Sequence, residues 1–271
     1  GFDEKIAIIG GGPAGISCAY YLAEKGYKPT IFEKNQKPGG MLVYGIPSFV
    51  LEKDVVAAEI DVLREMGVDI RCGVEIGKDI TLGKLREEGY KAFYIAIGCQ
   101  GGRRLNIPGE ESEGVMTGVD FLHVTTDDEN YKLTGDTVVI GGGNVAIDVS
   151  RTAIRCGTDK VYQVSLETRD IMPASVEEIE NAEAEDIVFH GGWGPKEILT
   201  ENGKATGGKK GDQTGREVKV APYYNFEQTW VIRFRNTRRG KLAGKAAKLL
   251  AQNDNIGYNQ NDRVSLYNEC I

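Results

Sequence analysis

Two glycine-rich turns stand 131 residues apart in this chain of 271. Gly10-Gly11-Gly12-Pro13-Ala14-Gly15 follows the apolar run Lys5–Ile9, and Gly141-Gly142-Gly143-Asn144-Val145-Ala146 follows Thr137–Ile140. A short apolar run that ends in such a turn reads as a buried parallel strand feeding a helix. One G-x-G-x-x-G alone is weak evidence, because glycine also serves ordinary turns. Two copies in the same setting imply two nucleotide sites, and so electron transfer between two dinucleotides. The expected fold is α/β, with two Rossmann-like nucleotide-binding units.

The rest of the composition narrows the field. No stretch approaches the roughly 20 apolar residues of a membrane span. The first residues lack a signal peptide's basic start and apolar run, so the cytoplasm is the expected compartment and no membrane partner is expected. Cys18, Cys72, Cys99, Cys156 and Cys270 form no C-x-x-C pair, which argues against a redox disulfide, an iron–sulfur cluster or a structural zinc. His123 and His190 are the two histidines, so no metal site is expected. Cys18 and Cys156, in helices after the turns, read as small core residues.

In the first unit, Gly10 permits the tight turn, Gly12 leaves room for a pyrophosphate and Gly15 lets the helix pack against the strand. A helix is expected over about 13–25, with Pro13 and Ala14 in its first turn, and its N-terminus offers free N–H groups to phosphate. A strand over about 29–32 ends at Glu33, 18 residues beyond Gly15, where a carboxylate can accept from ribose hydroxyls. The stretch Gly39–Pro47 is too rich in glycine for a regular element. Val56, Ile60 and Leu63 mark one face of a helix at about 53–66. A strand at 68–72 follows, and residues 92–97 read as a buried strand ending at Gly98.

Gly10–Gly15, Glu33-Lys34, Pro38–Pro47 and Asn106-Ile107-Pro108-Gly109-Glu110 resemble the FAD domain of the glutamate synthase small-subunit family of flavin reductases. The likeness runs over residues 5–202. It implies that the first turn binds the FAD pyrophosphate and Glu33 the ribose, with Lys34, Gly40 and Met41 beside them. It also implies that Gly45-Ile46-Pro47 and the strand end at Gly98 lie near the flavin. The second turn, Gly141, Gly143, Asn144, Val145 and Ala146, resembles the family's inserted NAD(P)H domain, down to Met172-Pro173-Ala174-Ser175. Ser175 and Glu178 form an S-x-x-E capping box for the next helix. Gly157 is the expected C-cap glycine of the helix before it. NADPH users of the family carry two arginines just after the next strand; here those positions are Leu166 and Glu167. A carboxylate repels a 2′-phosphate and suits a free hydroxyl, so NADH is expected in preference to NADPH. Arg169, Arg151 and Arg155 are candidate phosphate partners. The hydride step needs no acid or base, and no catalytic residue is assigned.

The expected domains are 1–115 for FAD, 116–202 for NAD(P)H and 203–271 for an atypical tail. Residues 203–271 hold 13 Lys and Arg against 6 Asp and Glu, whereas residues 1–202 hold 20 against 34. Gly203–Gly215 reads as linker or turns, Val218–Val220 and Thr229–Phe234 as strands, and 241–251 as a helix. The family would return here to the FAD domain with a glycine-aspartate motif, which the tail lacks. The tail is instead similar to the front part of a phage-type cysteine peptidoglycan hydrolase, through Thr206–Val218, Asn255–Gln260, Arg263 and Leu266-Tyr267. The chain thus reads as a junction of two pieces near Glu201–Lys204. The arginines at 233, 235, 238 and 239 read as a basic surface rather than a nucleic-acid site. The resemblance implies an electron-accepting subunit or iron–sulfur domain elsewhere. A nucleotide-binding module without turnover, and a chimera with an inactive hydrolase piece, remain alternatives.

Overall fold

The computed structural model describes residues 1–102, 104–211 and 230–233. The first unit runs β1 (Lys5–Ile9), α1 (Pro13–Glu24), β2 (Thr30–Glu33), α2 (Met41–Tyr44), α3 (Lys53–Glu65), β3 (Asp69–Cys72), α4 (Leu82–Glu87), β4 (Tyr90–Ile95). Its strands form a parallel sheet in the order β3-β2-β1-β4. A parallel strand covered on both faces is apolar throughout. Ala7 and Ile9 accordingly pack with Phe32, Leu85 and Tyr90 on one face, and Ile8 with Ala19, Ile31 and Leu63 on the other.

The stretch 39–47 is not irregular throughout. Gly40 (φ 53°) turns the chain, and Met41–Tyr44 make one helical turn. Tertiary burial stabilises it: Val43 and Tyr44 pack on Val56 and Ile60, the apolar face of α3.

The second unit runs β5 (Val115–Thr117), α5 (Gly118–Asp127), β6 (Thr137–Ile140), α6 (Asn144–Arg155), β7 (Val161–Val164), a 3₁₀ turn (Arg169–Ile171), α7 (Val176–Ala184) and β8 (Val188–His190). A hairpin of β9 (Gly194–Glu201) and β10 (Lys204–Gly211) follows, and then β11 (Trp230–Arg233). The five-stranded parallel sheet has the order β5-β11-β6-β7-β8. The strand read at Thr229–Phe234 therefore lies inside this sheet, with Val231 paired to both Val115 and Val138. The strand read at 218–220 and the helix at 241–251 lie outside the described residues.

As far as Gly211, the expected linker is a strand. Asn202 (φ 51°) and Gly203 (φ 79°) are both left-handed, the geometry of a type I′ hairpin turn. Lys204 pairs with Glu201 across it. The hairpin packs Ile198 and Ala205 onto Ile140. Asn106–Glu110 forms its seat. A Cβ at Gly109 (φ 85°) would lie 2.2 Å from the Ile198 carbonyl oxygen, and Ile198 donates its N–H to Pro108 at 2.8 Å.

The two units meet where α2 and α3 approach α5 and α6. The Phe49 ring covers the guanidinium groups of Arg155 at 3.9 Å and Arg151 at 4.8 Å. His123 lies within α5, packs at a tilt on Tyr44 with ring centroids 4.4 Å apart and pairs with Asp127 at 3.2 Å. Asp127 is the last residue of α5. Lys53 donates to the carbonyl oxygens of Leu42 and Ile46 and acts electrostatically on Asp148 of α6. Desolvation, reinforced by Glu178, raises the Asp148 pKa to about 6, against the lowering influence of Arg151 and Lys53.

Two outcomes test this architecture. A Cβ at Gly15 would lie 1.9 Å from the Gly10 carbonyl oxygen, so Gly15→Ala forces α1 off the sheet at a cost of about 3 kcal/mol. A urea midpoint equal to the parent's would refute that contact. For Asp148 the folded pKa lies above the unfolded one, so stability is fullest below pH 4 and declines as pH rises to 6. Asp148→Asn should stabilise the chain by about 1 kcal/mol at pH 7.5 and leave it unchanged at pH 4. Thermal melts at the two pH values measure the difference, and equal shifts at both would contradict this account.

Candidate functional site

Each glycine turn is built the same way. Gly10 donates to Phe32 and Gly141 to Val164, both at 2.8 Å, so each turn is bonded to the end of the next strand. A later segment is then stapled on: Gly39 donates to the Gly11 carbonyl at 2.7 Å, and Ala174 to that of Gly142 at 3.0 Å. α1 and α6 begin at the third glycine of each turn, with Gly12 and Gly143 as N-caps that have no side-chain cap. Their first N–H groups have no partner within the helix and carry its partial positive charge.

The glycines divide into two kinds. Gly10 (φ 108°) is required by the protein itself, since a Cβ there would lie 2.3 Å from the Ala96 carbonyl oxygen. Gly12 and Gly143 are different. Their φ values of −80° and −94° suit any residue. A Cβ at Gly12 would meet only Gly40 Cα, at 3.7 Å, and one at Gly143 would meet nothing within 4 Å. No contact of the polypeptide asks for glycine there. A backbone approached closely by a ligand does, so both turns fit a diphosphate.

Glu33 is buried beside the first turn, where Oε2 accepts from Gly11 N–H at 2.7 Å and Oε1 from Asn35 N–H at 2.8 Å. Gly40 packs on Gly12, Met41 opens α2 above it, and the exposed Gly98 (φ 69°) lies two residues past Ala96, which touches Gly10. Lys34 points to solvent next to Glu33. Pro13 and Ala14 form the first turn of α1. Gly45, Ile46 and Pro47 instead line a cavity of about 590 Å³ with Phe49, Lys53 and Arg155, to which neither glycine turn contributes.

At the second turn Ala146 is wholly buried, Val145 is exposed, and the Asn144 side chain accepts from Ser175 N–H at 2.8 Å. Glu167 Oε2 lies 3.0 Å from where a Gly142 Cβ would sit. The three candidate arginines are already paired. Arg151 bonds Glu178 and Glu185, Arg155 bonds Glu185, and Arg169 grips Glu183 through Nε at 2.6 Å and Nη2 at 2.7 Å. The Arg155 and Arg151 guanidinium groups hold the Glu185 carboxyl down at about 2. The capping box is half formed. Ser175 Oγ accepts from Glu178 N–H at 3.4 Å, while the Glu178 carboxylate goes to Arg151.

Burial pushes the Cys18 thiol up to about 11 and raises Cys156 as well. Neither is a thiolate nucleophile near neutral pH. Gly157 (φ 90°) follows α6 as its cap glycine. Among the described residues no three potential ligands cluster to hold a metal, and no helix is long and apolar enough to cross a membrane. Arg235, Arg238 and Arg239 lie outside the described residues. The stapling glycines Gly11 and Gly142, and the acid Glu183, were not singled out from sequence. The first two carry a signal, the repeated Gly-Gly-Gly; the third has none at short range.

The chain resembles known proteins along most of its length. It is 41% identical over 207 residues to the NADP(+)-dependent formate dehydrogenase subunit beta of Moorella thermoacetica, covering 75% of this chain and 29% of that protein. It is 40% identical over 210 residues to the glutamate synthase [NADPH] small chain of Halomonas elongata, covering 74% and 44%. The chain thus spans less than half the length of these relatives. Its fold matches Mycobacterium tuberculosis FprA, solved in complex with NADPH, with a TM-score of 0.67 at 18% identity over 88% of this chain and 72% of that one. Residues 198–271 are similar to an endolysin-like domain, in line with the hydrolase resemblance of the tail. The profile of the pyridine nucleotide-disulphide oxidoreductases matches residues 4–221, and the chain belongs to that family.

Proposed function

We propose that the first turn holds FAD and the second NADH, in a flavin-dependent oxidoreductase that passes electrons to an acceptor on another domain or subunit. When bound, the flavin accepts a hydride from the nicotinamide and delivers electrons onward. The residues of this chain bind and orient. The N–H groups at the start of α1 and α6 face the diphosphates, and Glu33 accepts from the adenosine ribose of FAD. Residues 1–115 and 116–202 are the two cofactor domains in this reading. Two of the relatives are named as subunits, which supports a separate acceptor.

One observation carries the reading: Gly12 and Gly143 are glycines that the protein's own packing does not require. The NADH preference rests on Glu167, whose carboxylate stands at the second turn where a 2′-phosphate would meet like charge. The exposed apolar residues Ile95 and Ile97 of β4 and its end, beside the first turn, favour a second reading in which this stretch binds nucleotide without turnover.

The full chain titrated with FAD should develop flavin absorbance, and NADH should bleach it under anaerobic conditions. Colour without bleaching would favour the second reading; a chain that stays colourless in excess FAD would overturn both. Gly12→Ala should weaken FAD at least about tenfold, a loss of 1.4 kcal/mol, at unchanged stability, since its Cβ makes only an ordinary contact with Gly40 Cα at 3.7 Å. Gly143→Ala should do the same to NADH while sparing FAD. Glu167→Arg should shift the NADPH to NADH affinity ratio about tenfold towards NADPH.

A further inference from the structure

We propose that Glu183 is a specificity residue, acting by holding Arg169 in an ion pair and so denying a 2′-phosphate its cation. The inference rests on the reading that the second turn takes a pyridine nucleotide. Glu183 stands on α7, 14 residues beyond Arg169, and its carboxylate bonds Arg169.

The backbone around Arg169 is clamped. Glu167 accepts on its carbonyl oxygen from Ser165 Oγ at 2.7 Å and from Gly192 N–H at 3.2 Å, and Trp193 N–H donates to Ser165 at 2.8 Å. A Cβ at Gly191 would lie 2.9 Å from both the Glu167 oxygen and Thr168 Cα. The strand-end segment therefore has little freedom to move, and its side chains set what it offers a ligand.

Those side chains offer one cation. Between Ser165 and Asp170 only Arg169 is basic. The neighbouring arginines of α6 are engaged by Glu178 and Glu185. α7 supplies Glu177, Glu178, Glu180 and Glu183 and no Lys or Arg. A nucleotide with a free 2′-hydroxyl needs no cation at this position. A 2′-phosphate must face the Glu167 carboxylate and also draw Arg169 out of a two-point grip. Arg169 and Glu183 are 49% and 39% exposed, so the grip is weak enough for competition to be measured.

The test is nucleotide binding to the full FAD-loaded chain, with NADH and NADPH titrated separately by nicotinamide fluorescence. Glu183→Gln should tighten NADPH about threefold to fivefold, the range an exposed ion pair covers, with NADH changed by less than about twofold. The gain should disappear in the Glu183→Gln, Arg169→Gln double variant, and in the single variant it should shrink at high salt. A change that affects both nucleotides equally would mean that Glu183 supports the fold only, and would overturn the proposal. So would an NADPH gain that survives removal of Arg169. A parent chain that binds neither nucleotide would defeat the underlying reading instead, so the two failures are distinguishable.

Discussion

A helix can start directly against the strand that feeds it only where side chains are absent, and that constraint shapes both halves of this chain. At the first turn the closest approach is between Gly15 and the Gly10 carbonyl, where any Cβ would lie within 1.9 Å of the oxygen. At the second, Ala146 takes the equivalent place with its methyl wholly buried. Because each helix begins tight against the sheet, its unpaired N–H groups emerge at the carboxyl ends of the strands. Open α/β sheets bind ligands at those ends. The room at Gly12 and Gly143 follows from the same geometry: a Cβ would make one ordinary contact at Gly12, with Gly40, and none within 4 Å at Gly143.

The two units repeat one construction but place their acids in different registers. Gly10 donates to Phe32 and Gly141 to Val164, so Glu33 corresponds to Ser165. In the first unit the carboxylate belongs to the strand end and is consumed by two backbone N–H groups, which makes it a rigid, buried acceptor. In the second, Ser165 turns its hydroxyl onto the Glu167 carbonyl, and the carboxylate of Glu167 approaches Gly142 from two residues farther along. The second acid is therefore less enclosed. A site that must admit and release a nucleotide each cycle is served by such an acid, whereas a site holding a resident cofactor is served by the buried one.

The sequence disclosed those features that rest on local pattern. The strand at Lys5–Ile9, the periodic face of α3 and both helix starts follow from neighbouring residues alone. α2 did not, because one turn is too short for periodicity and exists through burial on α3. β10 was obscured by its glycines, although Asn202-Gly203 was a hairpin signal within the same stretch. The partners of Arg151 and Arg155 stand 27 to 34 residues away, beyond any local rule, so arginines that look available in the sequence are engaged in the fold. The half-formed cap at Ser175 has the same cause: Glu178 is worth more opposite a half-buried guanidinium than at an exposed helix end.

That engagement bears on how anions are attracted at all. In the second unit every arginine from α6 to α7 has its charge met by a glutamate, and Phe49 covers two of them at the seam with the first unit. Among the described residues, these three arginines therefore offer an anion little free charge. The backbone supplies its own donors: N–H groups at two helix starts, where glycine stands in place of a side chain that would screen them. Such donors are short-ranged and fixed in direction. Donors of this kind select an anion by fit rather than by net charge, which suits a chain whose first 202 residues carry 34 acidic groups against 20 basic ones.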